Sequence, residues 1–380
     1  MSTYHQMGND TKNLIGELPG YAGFIASPVN DKITELMMQI DEHQTRDFDV
    51  IFDPQLYFPR SQRGHLQEWN YFPSDVDTAD VSSYQWWTSV CDTLIDTIGP
   101  FKPAVVCSPA IVPKTYSKEY HSTATSVANY LATKAGRLGI RTLQTVIVTM
   151  TDLTLDSRIM EMSSIISSTK ADGIYLVLVS GLEPRREYND AEDIAGTMRL
   201  IHLLEKSGLK VTVGFCSSDA ILWKYAGATS CATGKFFNLR RFTIGRFTEA
   251  DKGGAQIPYW FEEALLGFLR EPDLVRLQSN GILSRASKEN PFAQDILRQI
   301  ATNPGEAWVG LGWRQYMYWF ADIERRATNR DYNIKDSIKA AEQAWKTLDR
   351  NHIILEEPKN NGSWLPQWRR AIELFEKASL

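Results

Sequence analysis

The chain has 380 residues, of which 43% are hydrophobic and 23% charged, a balance that excludes a largely disordered protein. Its net charge of −5 argues against a generic nucleic-acid coat but leaves room for a local basic patch. Four cysteines (Cys91, Cys107, Cys216, Cys231) are too few for a disulfide scaffold at this length and read as reduced thiols of a cytoplasmic protein.

Met1 to Gly20 is polar, lacks the apolar stretch of a secretory signal, and reads as an N-terminal extension, residues 1–20. No apolar run approaches the roughly 18 residues of a membrane-spanning helix, so no membrane partner is expected. From Tyr21 onward, short apolar runs alternate with helix-like stretches. The runs are Tyr21–Ser27, Asp49–Pro54, Ala104–Pro109, Thr145–Thr149, Gly173–Ser180, Lys210–Phe215 and Ala228–Cys231. They are near-continuous and mostly β-branched, as parallel strands buried on both faces should be. Between them, Lys32–His43, Ser83–Ile98, Ser126–Leu138 and Ala191–Ser207 carry apolar residues at helical spacing.

Seven such strands, with an eighth expected around Gln256-Ile257-Pro258, predict a parallel (β/α)8 barrel over residues 21–270. A doubly wound open sheet is the alternative fold. It is disfavoured because the first strand runs into Ser27-Pro28-Val29-Asn30 rather than a glycine-rich turn. After Gln256, Tyr259–Arg270, Pro291–Ala301, Glu306–Ala327, Ile334–Asp349 and Leu365–Ala378 read as helices. Residues 271–380 are therefore expected to form an α-helical C-terminal region.

In such a fold the chemistry gathers at the carboxyl ends of the strands. Asp53 ends an apolar strand just before Pro54, where a carboxylate can act as general base or nucleophile. Asp152 and Asp219 occupy matching positions, and with Glu183 they outline an acidic rim able to hold a divalent cation through oxygen ligands. Gln55, Tyr57 and Arg185 are further rim residues with substrate-binding chemistry. Zinc is not expected, because no Cys-x-x-Cys, His-x-x-x-His or His-Glu-x-x-His spacing occurs.

The stretch after the seventh run is the most informative. Small and hydroxylated residues lead to Thr233, Gly234 and Lys235, and Arg240 and Arg241 follow. A small-residue loop with nearby cations at this place in a barrel predicts a phosphate site. It is not a Walker A loop, since Phe236 follows the lysine. Two functions follow. One is a barrel enzyme, a hydrolase or a glycosyl or phosphoryl transferase, acting on a phosphate-bearing nucleotide or nucleic acid through a strand-end carboxylate. The other is a non-enzymatic scaffold in a larger assembly. There the C-terminal helices would bind a protein partner through Trp313, Trp319, Trp364 and Trp368, with Trp86 and Trp87 adding anchors. A concave site holding Asp53 and Lys235 favours the first; a filled barrel mouth and an exposed tryptophan patch favour the second.

Overall fold

The computed structural model describes residues 3–9, 14, 17–44, 48–248, 256–357 and 361–379. Eight parallel strands close into a barrel in chain order. They are β1 (Thr3–Gln6), β2 (Tyr21–Ala26), β3 (Asp49–Phe52), β4 (Val105–Cys107), β5 (Arg141–Thr149), β6 (Gly173–Val179), β7 (Lys210–Val213) and β8 (Ser230–Thr233). Helices connect them: α1 (Ile33–Gln44), α2 (Thr78–Ser82), α3 (Tyr84–Ile98), α4 (Lys118–Gly136), α5 (Asp156–Ile166), α6 (Ala191–Lys206) and α7 (Ala220–Tyr225). After β8 come α8 (Gly245–Thr248) and an antiparallel hairpin of β9 (Trp260–Glu262) and β10 (Gly267–Leu269). Then follow α9 (Glu271–Ser279), α10 (Arg285–Glu289), α11 (Ala293–Thr302), α12 (Val309–Thr328), α13 (Ile334–Arg350) and α14 (Trp364–Ser379).

Local chemistry sets several of these ends. Ser83 accepts the Trp86 N–H and starts α3; Asp190 accepts the Glu192 and Asp193 N–H groups and starts α6. In the lumen, the Tyr175 hydroxyl crosses from β6 to the Gln6 side chain on β1 at 3.1 Å. Gly214 leaves room for that phenol, since a Cβ there would lie 2.6 Å from its oxygen.

Three expectations are corrected. The eighth strand is not Gln256-Ile257-Pro258, which is irregular and leaves Ile257 52% exposed. It is β1, inside the stretch read as an extension. Thr3–Gln6 pairs with β2 on one side and with β8 on the other. Its polar residues give no apolar signal, because tertiary partners rather than hydrophobic neighbours satisfy them. Second, Tyr259–Arg270 is the β9–β10 hairpin and not a helix. Aromatic residues favour the pleated form here, and Leu266 takes a left-handed conformation (φ 48°) at the turn. Third, residue 270 is not the barrel's limit. The Glu324 carboxylate on α12 accepts the Thr3 hydroxyl and the Cys231 N–H (3.1 Å), and the Tyr316 hydroxyl meets that of Thr233. Helix α12 thus covers β8 and β1 and serves as the eighth barrel helix. Helices α13 and α14 lie outside it. Trp345 on α13 donates to the Leu265 carbonyl at 3.0 Å, and Phe375 on α14 packs on His202 of α6.

Glu324 is 1% exposed and also faces the Lys224 ammonium at 3.5 Å. Removing one partner of a buried pair strands the other charge. Glu324→Ala should therefore lower unfolding free energy by about 3–5 kcal/mol, read as the urea midpoint at pH 7. Glu324→Gln, whose side-chain oxygen can still accept from the Cys231 N–H and whose amide N–H can donate to the Thr3 hydroxyl, should lose markedly less. Equal midpoints for the two variants would show that the hydrogen bonds to Cys231 and Thr3 play no part in closure, and that the lost charge accounts for the whole effect.

Candidate functional site

The segment leaving β8 builds the rim. It first turns outward toward α12, then crosses the barrel mouth. There the Phe242 ring packs on Tyr57 (5.1 Å between centroids) and Phe215 (5.3 Å), and Phe247 packs on Tyr57 (5.0 Å). Polar latches fasten it to the β3 exit loop. The Ser61 hydroxyl donates to the Phe247 carbonyl, and the Arg63 Nε donates to the Arg246 carbonyl at 3.1 Å. These rings fill the mouth.

Asp53 lies beneath this plug, 1% exposed. The Tyr57 hydroxyl donates to it at 2.7 Å and the Gln55 N–H at 3.0 Å. Burial nevertheless pushes its carboxyl up to about 6, against the pull of those two donors and of Arg246. Gln55 spends its side-chain oxygen on the Val29 N–H (3.1 Å) and the Ser27 hydroxyl (3.3 Å), bracing the β2 exit. Both Gln55 (φ 52°) and Phe215 (φ 55°) take left-handed backbone at strand ends facing the plug, a costly conformation for residues with a Cβ.

A second station lies at the exits of β6, β7 and β8. Arg241 is completely buried, with its guanidinium 3.7 Å from the Tyr188 ring centroid. Its Nη2 lies 3.2 Å from Glu187 and 3.4 Å from Asp219. The Ser217 N–H and hydroxyl hold Asp219 (2.8 Å) and Glu187 (3.2 Å) respectively. Burial, and then the neighbouring Glu187, push Asp219 up to about 7 against the pull of Arg241, and burial also raises Glu187.

The third station is a cleft of about 270 Å³ between the β8 exit, the irregular segment leading to β9, and the first turns of α12. Lys235, 2% exposed, sets its ammonium 4.4 Å from the Trp313 ring and 4.8 Å from Phe236. Arg240 lies 3.6 Å from the Tyr316 ring, and Arg185 donates to the Tyr259 hydroxyl. Arg185, Lys235 and Arg240 all line the cleft, and its described lining includes no carboxylate.

The structure thus redistributes the expected residues. Lys235, Arg240 and Arg185 come together; Asp53 with Gln55 and Tyr57, and Asp219 with Arg241, form separate buried groups. Asp152 joins neither: it pairs with Arg158 at 2.6 Å on the outer rim. Glu183 sits exposed in its loop, so the acidic rim does not converge. Among the described residues no group of three or more His, Cys, Asp or Glu could hold a metal ion. The loop after β8 also departs from expectation. The Thr233 hydroxyl donates to the Cys216 carbonyl at 2.7 Å, and the Gly234 and Lys235 carbonyls accept from Arg240 at 2.9 and 2.8 Å. The glycine serves close approach, since a Cβ would lie 2.6 Å from the Gln6 carbonyl. This loop therefore brings a lysine to the cleft while its Gly234 and Lys235 carbonyls are taken by Arg240.

Sequence reasoning missed Glu187, Tyr259 and Trp313 as rim residues. Glu187 lies two residues after Arg185, but nothing local separates it from Glu183. The tryptophan patch is also corrected: Trp87, Trp319, Trp364 and Trp368 are buried, and Trp86 and Trp313 are half-buried.

The raised Asp53 has a thermodynamic sign. A carboxyl held at about 6 in the fold, against an ordinary 3.8, binds its proton more tightly when folded. Its contribution is full below the ordinary value and is lost as pH rises through about 6, a change on the order of 3 kcal/mol. Asp53→Asn should remove that part of the decline between pH 4 and 7 in urea unfolding. A variant whose stability falls as steeply as the wild type would show that Asp53 is not the titrating group.

No family model matches the chain, and no curated protein matches it. Among solved structures it is similar to a type I 3-dehydroquinate dehydratase from Clostridium difficile, at 10% identity and a TM-score of 0.38, over 65% of this chain and 88% of that one. A dihydrodipicolinate synthase from Bacillus clausii matches at 10% identity and 0.33, over 100% and 98%. A xylanase from Cellvibrio japonicus matches at 8% and 0.35, over 57% and 69%. No residue role or reaction is carried over from these likenesses.

Proposed function

We propose that this protein is a barrel enzyme that takes a phosphate-bearing substrate, a nucleotide, into the cleft beside β8. The observation that carries the reading is the meeting of Arg185, Lys235 and Arg240 with the rings of Trp313, Phe236 and Tyr259 in one concavity. Cations in a partly dry cleft attract phosphate, and flat rings accept a base. The first turns of α12 form one wall, so the positive end of that helix lies nearby. A volume of about 270 Å³ is close to the lower limit of small-molecule sites. It suits one nucleotide better than a strand, which favours the small molecule over nucleic acid.

The scaffold reading loses its main support, because the tryptophans it needs are mostly in the core. The filled barrel mouth stands in its favour, but the cleft lies beside that mouth and remains open.

AMP and adenosine differ only in the phosphate and give a direct test. AMP should bind the wild type more tightly at low salt. Lys235→Met, which keeps the bulk between Trp313 and Phe236, should weaken AMP by about tenfold, with the loss shrinking at high salt. Adenosine should be nearly unaffected. Equal affinities for AMP and adenosine, or an unchanged AMP affinity in the variant at low salt, would end the phosphate reading.

A further inference from the structure

The β8 cleft has cations and rings but no carboxylate in its described lining. Next to it is a smaller cavity of about 10 Å³, room for about one water. The two share the walls Arg185, Phe237 and Tyr259, and the smaller one adds the side chain of Glu187. Glu187 is only 8% exposed and is the one member of the buried Arg241 network on that cavity's wall.

We propose that Glu187 is the group that exchanges a proton with a ligand in the β8 cleft, with Arg241 and Asp219 as its positioning residues. This rests on the cleft being the ligand site. Arg241 stands between two buried carboxylates, 3.2 Å from one and 3.4 Å from the other. One guanidinium balances one carboxylate, so the second is held by a proton rather than left as an isolated buried charge. The network is also short of partners. Arg241 Nε and Nη1 and Asp219 Oδ2 are buried without a hydrogen-bond partner among the described residues. Asp219 is sealed, 1% exposed at its side chain, and takes the Ser217 N–H. Of the two carboxyls around Arg241 only Glu187 lines the cavity, so it is the one through which the shared proton passes. When it gives the proton to a ligand oxygen, directly or across one water, both carboxylates are charged around Arg241, and the neighbouring Arg240 and the Arg185 of the cavity wall offset the second charge. Burial pushes both carboxyls up, which keeps the proton available near neutrality.

The groups around Glu187 are few. Arg241 and Arg240 come from the β8 exit, Ser217 and Asp219 from the β7 exit, and Arg185 and Tyr188 from its own loop. Tyr259 and Glu357 face it across the cavity. Glu357 is tied to Arg270 at 2.8 Å and to Arg185 at 3.8 Å.

Sulfate tests this without titrating itself across neutral pH, and its binding can be followed by tryptophan fluorescence, since Trp313 lines the cleft. A dianion beside Glu187 should raise its proton affinity. Wild-type affinity for sulfate should fall roughly tenfold as pH rises from 5.5 to 8.5. Glu187→Gln should bind sulfate with no such slope. Asp219→Asn should keep a slope but move it to lower pH, because the like charge beside Glu187 is gone. A merely structural role for either residue would change affinity equally at every pH. A flat wild-type profile, or a slope that survives in Glu187→Gln, overturns the proposal while leaving the cleft intact. Failure of the wild type to bind sulfate at any of these pH values at low salt overturns the cleft reading and this inference with it. Should Glu187→Gln not fold, the wild-type slope and its shift in Asp219→Asn still decide the matter.

Discussion

The barrel depends on how its two ends are joined. Strand β1 is four residues long and largely polar, yet it must fill the gap between β2 and β8. The buried Glu324 carboxylate solves this by binding both flanks at once, Thr3 on β1 and the Cys231 N–H on β8, while Lys224 balances its charge. A carboxylate in that place costs desolvation, which several charge-assisted bonds offset. It also fixes α12 against β8 and β1. The cleft wall is the other end of that same helix, so the closure sets the distance between Trp313 and Lys235.

From that fixed edge, one segment distributes the chemistry. The residues after β8 place Lys235 toward α12, fold Arg240 back onto their own carbonyls, bury Arg241 between two acids, and lay Phe242 and Phe247 across the mouth. Adjacent residues thus enter different environments. Arg240 and Arg241 are neighbours in sequence, but burial lowers the first to about 10 while its neighbours hold the second above its ordinary value. The difference lies in partners: Arg240 meets carbonyls and rings, Arg241 meets carboxylates and a phenol.

Buried ionisable groups cluster at the strand ends and separate by environment. Asp53 is desolvated under aromatic rings. Glu187 and Asp219 are desolvated around a cation. His5, on β1, is driven down to about 3 by burial and then by the nearby Lys235, so it stays neutral. A protein built only for stability gains little from such groups, because each costs desolvation. Their concentration near the carboxyl ends of the strands supports the proposed site, because perturbed proton affinities gather where they are used.

The sequence by itself determined a parallel sheet covered on both faces, since runs such as Gly173–Val179 are apolar throughout, and strand count favoured a barrel over a doubly wound sheet. It also placed two helices from Ser83 and from Ile334, whose first turns the Ser83 and Asn333 side-chain oxygens cap in the fold. It pointed to the segment after β8, because a lysine among small residues at a strand end is a local signal. Tertiary structure alone decided the rest. The strand at Thr3–Gln6 carries no apolar pattern and exists because two strand edges and Glu324 wait for it. The hairpin at Trp260–Leu269 forms against the rings of Tyr316 and Trp319, which no local window contains. The site differs from its sequence reading for the same reason. A residue's place at a strand end is written locally, but whether it meets solvent, a ring or a second carboxylate depends on loops from other strands. Asp53 and Asp219 look alike in sequence; Tyr57 and Phe247 cover one, and Arg241 with Glu187 claims the other.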